Sequence, residues 1–253
     1  MVLVSTHNRF MQDNGTVIHE NKGVYYGTFQ GEPGTVWVVS RGSKECLLHI
    51  NVQTGEVLDR KSIPSLFTHD AIRVDNKVYI ADCGHGHVVV LNYPDMSVYK
   101  IHTIFTVGNH INTLCFHNGI LWCLLHNLGK SLLVGINPET GEKLKVYTDV
   151  GMESHGIVPW CGGFLVLSSL EGRLIHVTDL ETRTLFHEPG CFLKGLCLVG
   201  NTIFFGSSPP LRRANRGDPN LQCDLVGVNL ETGKLISRKK LETRGLLNNL
   251  IQF

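Results

Sequence analysis

The sequence predicts an all-β propeller, and two periodic signals predict it. The first is a set of six strand openings, each a polar or glycine cluster running into apolar residues. They are Lys22-Gly23-Val24-Tyr25-Tyr26, His69-Asp70-Ala71-Ile72, His110-Ile111-Asn112-Thr113-Leu114, His155-Gly156-Ile157-Val158, Lys194-Gly195-Leu196-Cys197-Leu198 and Asn248-Asn249-Leu250-Ile251. Their spacing of roughly 42 residues is that of a radial array of repeated units. The second signal is a turn recurring later in each repeat, at Asp13-Asn14-Gly15, Thr54-Gly55, Asp95-Met96, Thr140-Gly141, Thr182-Arg183 and Thr232-Gly233. Four of these turns carry glycine, which adopts the positive φ of a tight hairpin without a Cβ clash. No stretch of about ten residues or more carries a helical hydrophobic period.

Taken in order, residues 1–21 read as two strands around Asp13-Asn14-Gly15. Repeats follow over 22–62, 68–104, 106–149, 151–188 and 190–241, and 246–253 reads as one further inner strand. Within 68–104, residues 71–74 form the inner strand and Asp75-Asn76-Lys77 a tight turn. Residues 78–82 form the second strand, 83–86 a glycine-rich connection, 87–91 the third strand and 98–101 the edge strand. Four antiparallel strands of this kind make one propeller blade. The two termini together make a sixth blade, which removes two exposed sheet edges. That composite blade counts one strand short, so five blades with an irregular terminal layer is the alternative. Residues 1–253 read as a single domain.

The 68–104 blade resembles an NHL-type repeat, through Val74-Asp75, Val78-Tyr79-Ile80-Ala81-Asp82 and Val88-Val89-Val90. The resemblance implies an NHL-like six-bladed propeller. Among NHL-like enzymes the amidating lyase holds zinc with three channel histidines, and this chain is distantly similar to it. The other catalytic groups of that enzyme have no match here.

Composition narrows the partners. Lys and Arg number 23 against 22 Asp and Glu, a net charge of +1 with both signs scattered, which gives no basic face for nucleic acid or an anionic membrane. No apolar run reaches the roughly 18 residues of a membrane span, and the opening residues lack a signal-peptide pattern. The eight cysteines form no CxxC pair; free thiols and a cytoplasmic setting are expected. Cys83, Cys115, Cys123, Cys161 and Cys197 read as small apolar residues in or beside strands. Trp37, Trp122 and Trp160 read as core.

In a propeller the starts of the inner strands and the ends of the second strands meet at one mouth of the central channel. The openings bring Lys22, His69, Asp70, His110, Asn112, His155, Lys194, Asn248 and Asn249; the second-strand ends bring Ser40, Arg41, Asp82, His85, His126, Asn127, Ser168, Ser169, Ser207 and Ser208. His69, His110 and His155 are the expected metal ligands, since imidazoles from three blades with one open position is a catalytic zinc arrangement. The implied cofactor is a divalent metal, Zn²⁺ or Ca²⁺, able to generate hydroxide or polarise a carbonyl. With 13 histidines in the chain, a strand-opening imidazole is equally suited to pair a neighbouring blade's polar group. Expected ligand contacts are Lys22, Asp70, Asn112, His126, Lys194 and Asn248. Arg212, Arg213 and Arg216 join them from the 209–220 insertion, which should overhang the mouth as a binding loop. His85-Gly86-His87 has the look of a metal clip without a guaranteed third ligand. The function expected is binding of a small polar or anionic molecule, with metal-dependent lyase or hydrolase chemistry; the alternative is a scaffold for a protein partner, without catalysis.

Overall fold

The computed structural model describes residues 1–20, 23–42, 44–210 and 213–253. Among these residues six antiparallel sheets of four strands stand in a ring, each inner strand packing on the next and the last on the first. Blade 1 is Val24–Gln30, Thr35–Arg41, Cys46–Asn51 and Val57–Ser62. Blade 2 is Thr68–Val74, Lys77–Asp82, His87–Asn92 and Val98–His102. Blade 3 is Ile111–His117, Ile120–Leu125, Leu132–Ile136 and Lys143–Tyr147. Blade 4 is His155–Trp160, Gly163–Ser168, Arg173–Val177 and Thr182–His187. Blade 5 is Phe192–Val199, Thr202–Ser208, Cys223–Asn229 and Leu235–Leu241.

Blade 6 joins Leu247–Gln252, as its inner strand, to Val2–Thr6, Arg9–Gln12 and Val17–Glu20. The N-terminal segment thus supplies three strands where the sequence suggested two, and the five-bladed alternative falls. The overlooked hairpin turns at His7-Asn8 without glycine or proline. Its turn chemistry lies in the Thr6 side chain, whose hydroxyl accepts from Arg9 N–H at 2.9 Å and lies 2.7 Å from the Thr243 carbonyl.

Second strands such as Thr35–Arg41 and Gly163–Ser168 are almost wholly buried, while the edge strand Leu235–Leu241 is almost wholly exposed. A second strand is covered by neighbouring blades on both faces, which explains its continuous apolar run. Six apolar clusters fill the wedges, one between each pair of adjacent blades. Burying each Leu, Ile or Val there contributes about 1.5–3 kcal/mol. Trp37 and Trp122 are buried, but Trp160 only partly so, and Cys161 is an exposed turn residue at φ +43°. The repeated outer hairpin is an Asx turn. Asn51 Oδ1 accepts from Gln53 and Thr54 N–H, Asn137 Oδ1 from Glu139 and Thr140 N–H, and Gly55 and Gly141 close the turns at φ +74° and +76°. No helix among the described residues is long and apolar enough to cross a membrane.

Candidate ligand site at the channel mouth

Every inner strand carries a one-residue bulge where it enters the channel. Pairing with the second strand skips at His69, Asn112, Gly156, Gly195 and Asn248, and at Gly27 together with Tyr26. A bulge bends the strand and re-aims the side chains beside it. The residue ahead of each skipped glycine, histidine or asparagine is Tyr26, Thr68, Ile111, His155, Lys194 or Leu247. The pattern is reciprocal. Where the skipped residue is glycine, its predecessor is Tyr26, His155 or Lys194; where it is His69, Asn112 or Asn248, the predecessor is smaller or apolar. Each blade therefore presents one large polar or aromatic group at this level. Glycine also lets the next blade close in, because a Cβ at Gly27 would collide with Ala71 N and one at Gly156 with the Leu196 side chain.

Polar contacts stitch these bulges across blades. Asp70 accepts from Ala71 and Leu114 N–H, both at 2.9 Å, and from Asn249 Nδ2 at 3.0 Å. Gly156 N–H donates to Thr113 Oγ1 at 3.1 Å, and Lys194 Nζ donates to Asn248 Oδ1 at 3.0 Å. Asn248 Nδ2 reaches the Tyr25 carbonyl at 2.8 Å. Burial pushes the Asp70 carboxyl up to about 7 against the pull of those three donors.

Above the bulges a train of rings circles the mouth. Centroid separations are 6.4 Å for His7–Tyr26, 5.0 Å for Tyr26–His69, 4.8 Å for His69–His110, 4.9 Å for His110–His126, 5.1 Å for His126–His155 and 5.5 Å for His155–Phe192. Cations sit on it: Arg41 and Lys194 lie over the Tyr26 ring at 4.8 and 5.0 Å, and Arg216 over Phe192 at 4.9 Å. Burial, then the Lys194 charge, lowers His7 to about 4 and holds His69 and His155 well below the usual imidazole range. All three rings are therefore neutral near pH 7. His69 Nδ1–H donates to the Phe67 carbonyl at 2.7 Å, and His155 Nδ1 is tied to Ser169 Oγ at 2.8 Å. The His69 Nε2 is thereby left as an acceptor or ligand.

The mouth opens into a cavity of about 140 Å³. His69, Asp70, Asn112, His155, Lys194 and Asn248 line its polar part, and Ile72, Leu114, Ile157 and Leu196 lie further along the same strands. Lys194 and Asn112 are each 4 % exposed, and Asn112 Nδ2 has no hydrogen-bond partner among the described residues. A buried donor left unpaired costs about 1–3 kcal/mol.

Of the residues singled out in the sequence, His69, Asp70, His110, Asn112, His126, His155, Lys194 and Asn248 all lie at this mouth. Lys22 and Arg212 fall outside the described residues, as does the Arg213 side chain. The described part of the insertion does reach the mouth, since Arg216 O accepts Leu246 N–H at 2.8 Å. The three expected metal histidines are not equivalent in register. His69 is the skipped residue of its blade, His155 precedes the skip, and His110 lies outside its strand at φ +50°. His126 stands between His110 and His155 in the ring train, and the donor atoms that converge are those of His69, His110 and Cys83. His126 itself accepts from Leu128 N–H at 3.1 Å and has Nε2 3.4 Å from Glu153. For His85 and His87 the third group is Asp82, whose carboxylate also receives Leu66 and His85 N–H. The hydroxyls of Ser168 and Ser207 bond to Glu171 and Glu188.

Sequence reasoning missed His7 and Tyr26, and took Cys83 for packing. A signal was present: Cys83, His126 and His7 are each the first residue beyond a second strand.

No family model matches the chain, nor does any curated protein. Among solved structures it is similar to a chain of the nidogen–laminin complex, with a TM-score of 0.75 and 9% identity over 99% of this chain and 97% of that one. A protein of unknown function from Bacteroides caccae gives a TM-score of 0.71 and 16% identity over 99% and 97%. The luciferin-regenerating enzyme gives a TM-score of 0.64 and 11% identity over 95% and 80%. At such identities the likeness is one of fold, the six-bladed β-propeller.

Proposed function

We propose that the chain binds a small organic anion in the cavity at this mouth. The observation that carries the reading is that one cavity is lined both by a buried lysine, Lys194, and by a buried amide donor without a partner among the described residues, Asn112 Nδ2. An anionic oxygen would accept from both, and hydrogen bonds to charged groups contribute about 1.5–3 kcal/mol each. Arg41 and Arg216 add positive potential at the rim, while the neutral imidazoles of His69 and His155 offer acceptors for hydroxyl groups. The cavity has room for several waters or a small carboxylate, at about 30 Å³ per water. The metal-dependent lyase or hydrolase step expected from the sequence would need a metal beside the bound anion.

The test is thermal unfolding of the metal-free protein with acetate, malonate, citrate, phosphate and a sugar phosphate, in wild type and Lys194→Met. At least one anion should raise the wild-type Tm with saturation in the millimolar range, and the variant should not respond. Absence of any saturable shift, or an equal shift in Lys194→Met, would defeat the reading.

A second reading, a scaffold for a protein partner, draws on the exposed Leu66, Phe67, Val107, Leu128 and Leu170 of the mouth connections. It also draws on the likeness to a chain of a protein–protein complex. A Phe67→Ser, Leu128→Ser double variant separates the two, since it should leave the anion response intact.

A further inference from the structure

We propose that His69, Cys83 and His110 form a binding site for one Zn²⁺ ion on the blade 2–blade 3 side of the mouth. One donor atom from each residue lies within 4.8 Å of the other two, and Cys83 Sγ already stands 3.0 Å from His110 Nδ1. Donors around a tetrahedral zinc are about 3.5 Å apart, given bonds of about 2.0–2.3 Å. Closing the set therefore takes side-chain rotations moving donor atoms by about 1 Å, with the backbone in place.

The three residues come from one strand and two connections, so the ring of blades assembles them. His69 is the bulge of blade 2, Cys83 directly follows that blade's second strand, and His110 precedes blade 3. Two further features favour a ligand role. The His69 Nδ1–H bond to the Phe67 carbonyl leaves Nε2 as the ligand and supplies the outer partner that metal-bound histidines characteristically have. His110 is held in left-handed conformation behind the short turn Val107–Asn109, a strain of about 1–3 kcal/mol for a residue other than glycine, of the kind that collects at ligand clamps.

The donor chemistry selects the ion. Two imidazoles and a thiolate suit borderline-soft zinc, whereas Ca²⁺ takes oxygen ligands. On binding, the S–H bond of Cys83 breaks, the thiolate bonds to the metal and the proton leaves to solvent. Three protein ligands leave the fourth position open toward water or a bound anion. The site shares the mouth with the proposed anion cavity but does not depend on it, because that reading is tested on metal-free protein.

Protein stripped with a chelator, loaded with Zn²⁺ and dialysed should retain one equivalent. Cys83→Ser and His110→Gln should each weaken zinc binding by about 100-fold or more, and His155→Gln should leave it within about threefold. Loading with Co²⁺ should give a thiolate-to-metal charge-transfer band in wild type and His155→Gln, and none in Cys83→Ser. His69→Gln stands in for any variant that fails to fold, as judged by its melting curve. Failure of wild type to retain zinc, retention unaffected by Cys83→Ser, or loss in His155→Gln would each overturn the proposal.

Discussion

The two sides of the mouth are built by the same strand positions and carry opposite chemistries. On blades 2 and 3 the bulges and their flanks bring imidazole and thiol donors, namely His69, Cys83, His110 and His126. Across the channel, blades 5 and 6 bring Lys194, Arg216 and a His7 that Lys194 helps to keep uncharged. The bulge is common to all six blades, so the repeat fixes where a side chain enters the channel and leaves its identity open.

The largest effect should come from breaking the frame that both sides share. Gly27→Val places a branched side chain against Ala71 N and the Asp70 carboxylate, where blade 2 closes on blade 1. A loss of about 3 kcal/mol or more is expected, read by denaturant unfolding, together with loss of any binding at the mouth. A smaller loss, about 2 kcal/mol, is expected for Asp70→Ala, which leaves Leu114 N–H and the Asn249 amide without their acceptor. If it melts like wild type, Asp70 is not the tie that links blades 2, 3 and 6.

Lys194→Met should separate the sides. Removing one buried ammonium is expected to leave stability within about 1 kcal/mol or raise it, because burying a charge is costly. Anion affinity should fall at least tenfold, while zinc retention on blades 2 and 3 is unchanged. A joint loss of both would mean that the mouth acts as one site.

How much of this was legible in the letters depends on what carries the information. Blade number followed from the repeated openings and Thr-Gly turns, because a hairpin's φ requirement is local and glycine advertises it. The His7-Asn8 hairpin did not show, since its turn rests on a threonine hydroxyl. Convergence of His69, His110, His155 and Lys194 on one mouth was legible, because strand starts share a face whatever their sequence. Which of them meet was not. One skipped residue per strand decides it, and a bulge at His69 or Asn112 carries no marker distinguishing it from ordinary alternation. Gly156 and Gly195, at φ +72° and +73°, were the visible hints.

The smallest effect concerns acid, and it sharpens the comparison from the cationic side. His7 titrates near 4 in the folded chain, against about 6.5 when unfolded. Above pH 6.5 both states are neutral there and the residue contributes no pH dependence. As the pH falls from 6.5 toward 4, the unfolded state takes up the proton first, so stability is lost through that window and levels off below it. For this one group the loss is on the order of 1 kcal/mol at pH 5.5. Asp70, raised to about 7, acts in the opposite sense between 7 and its unfolded value near 3.9, and therefore masks part of the loss. In His7→Gln the acid slope of stability should be shallower by up to one proton. Lys194→Met should produce part of the same change with His7 intact, because removing the ammonium lets the folded imidazole titrate higher. Equal acid slopes in wild type and both variants would show that His7 does not feel the Lys194 charge.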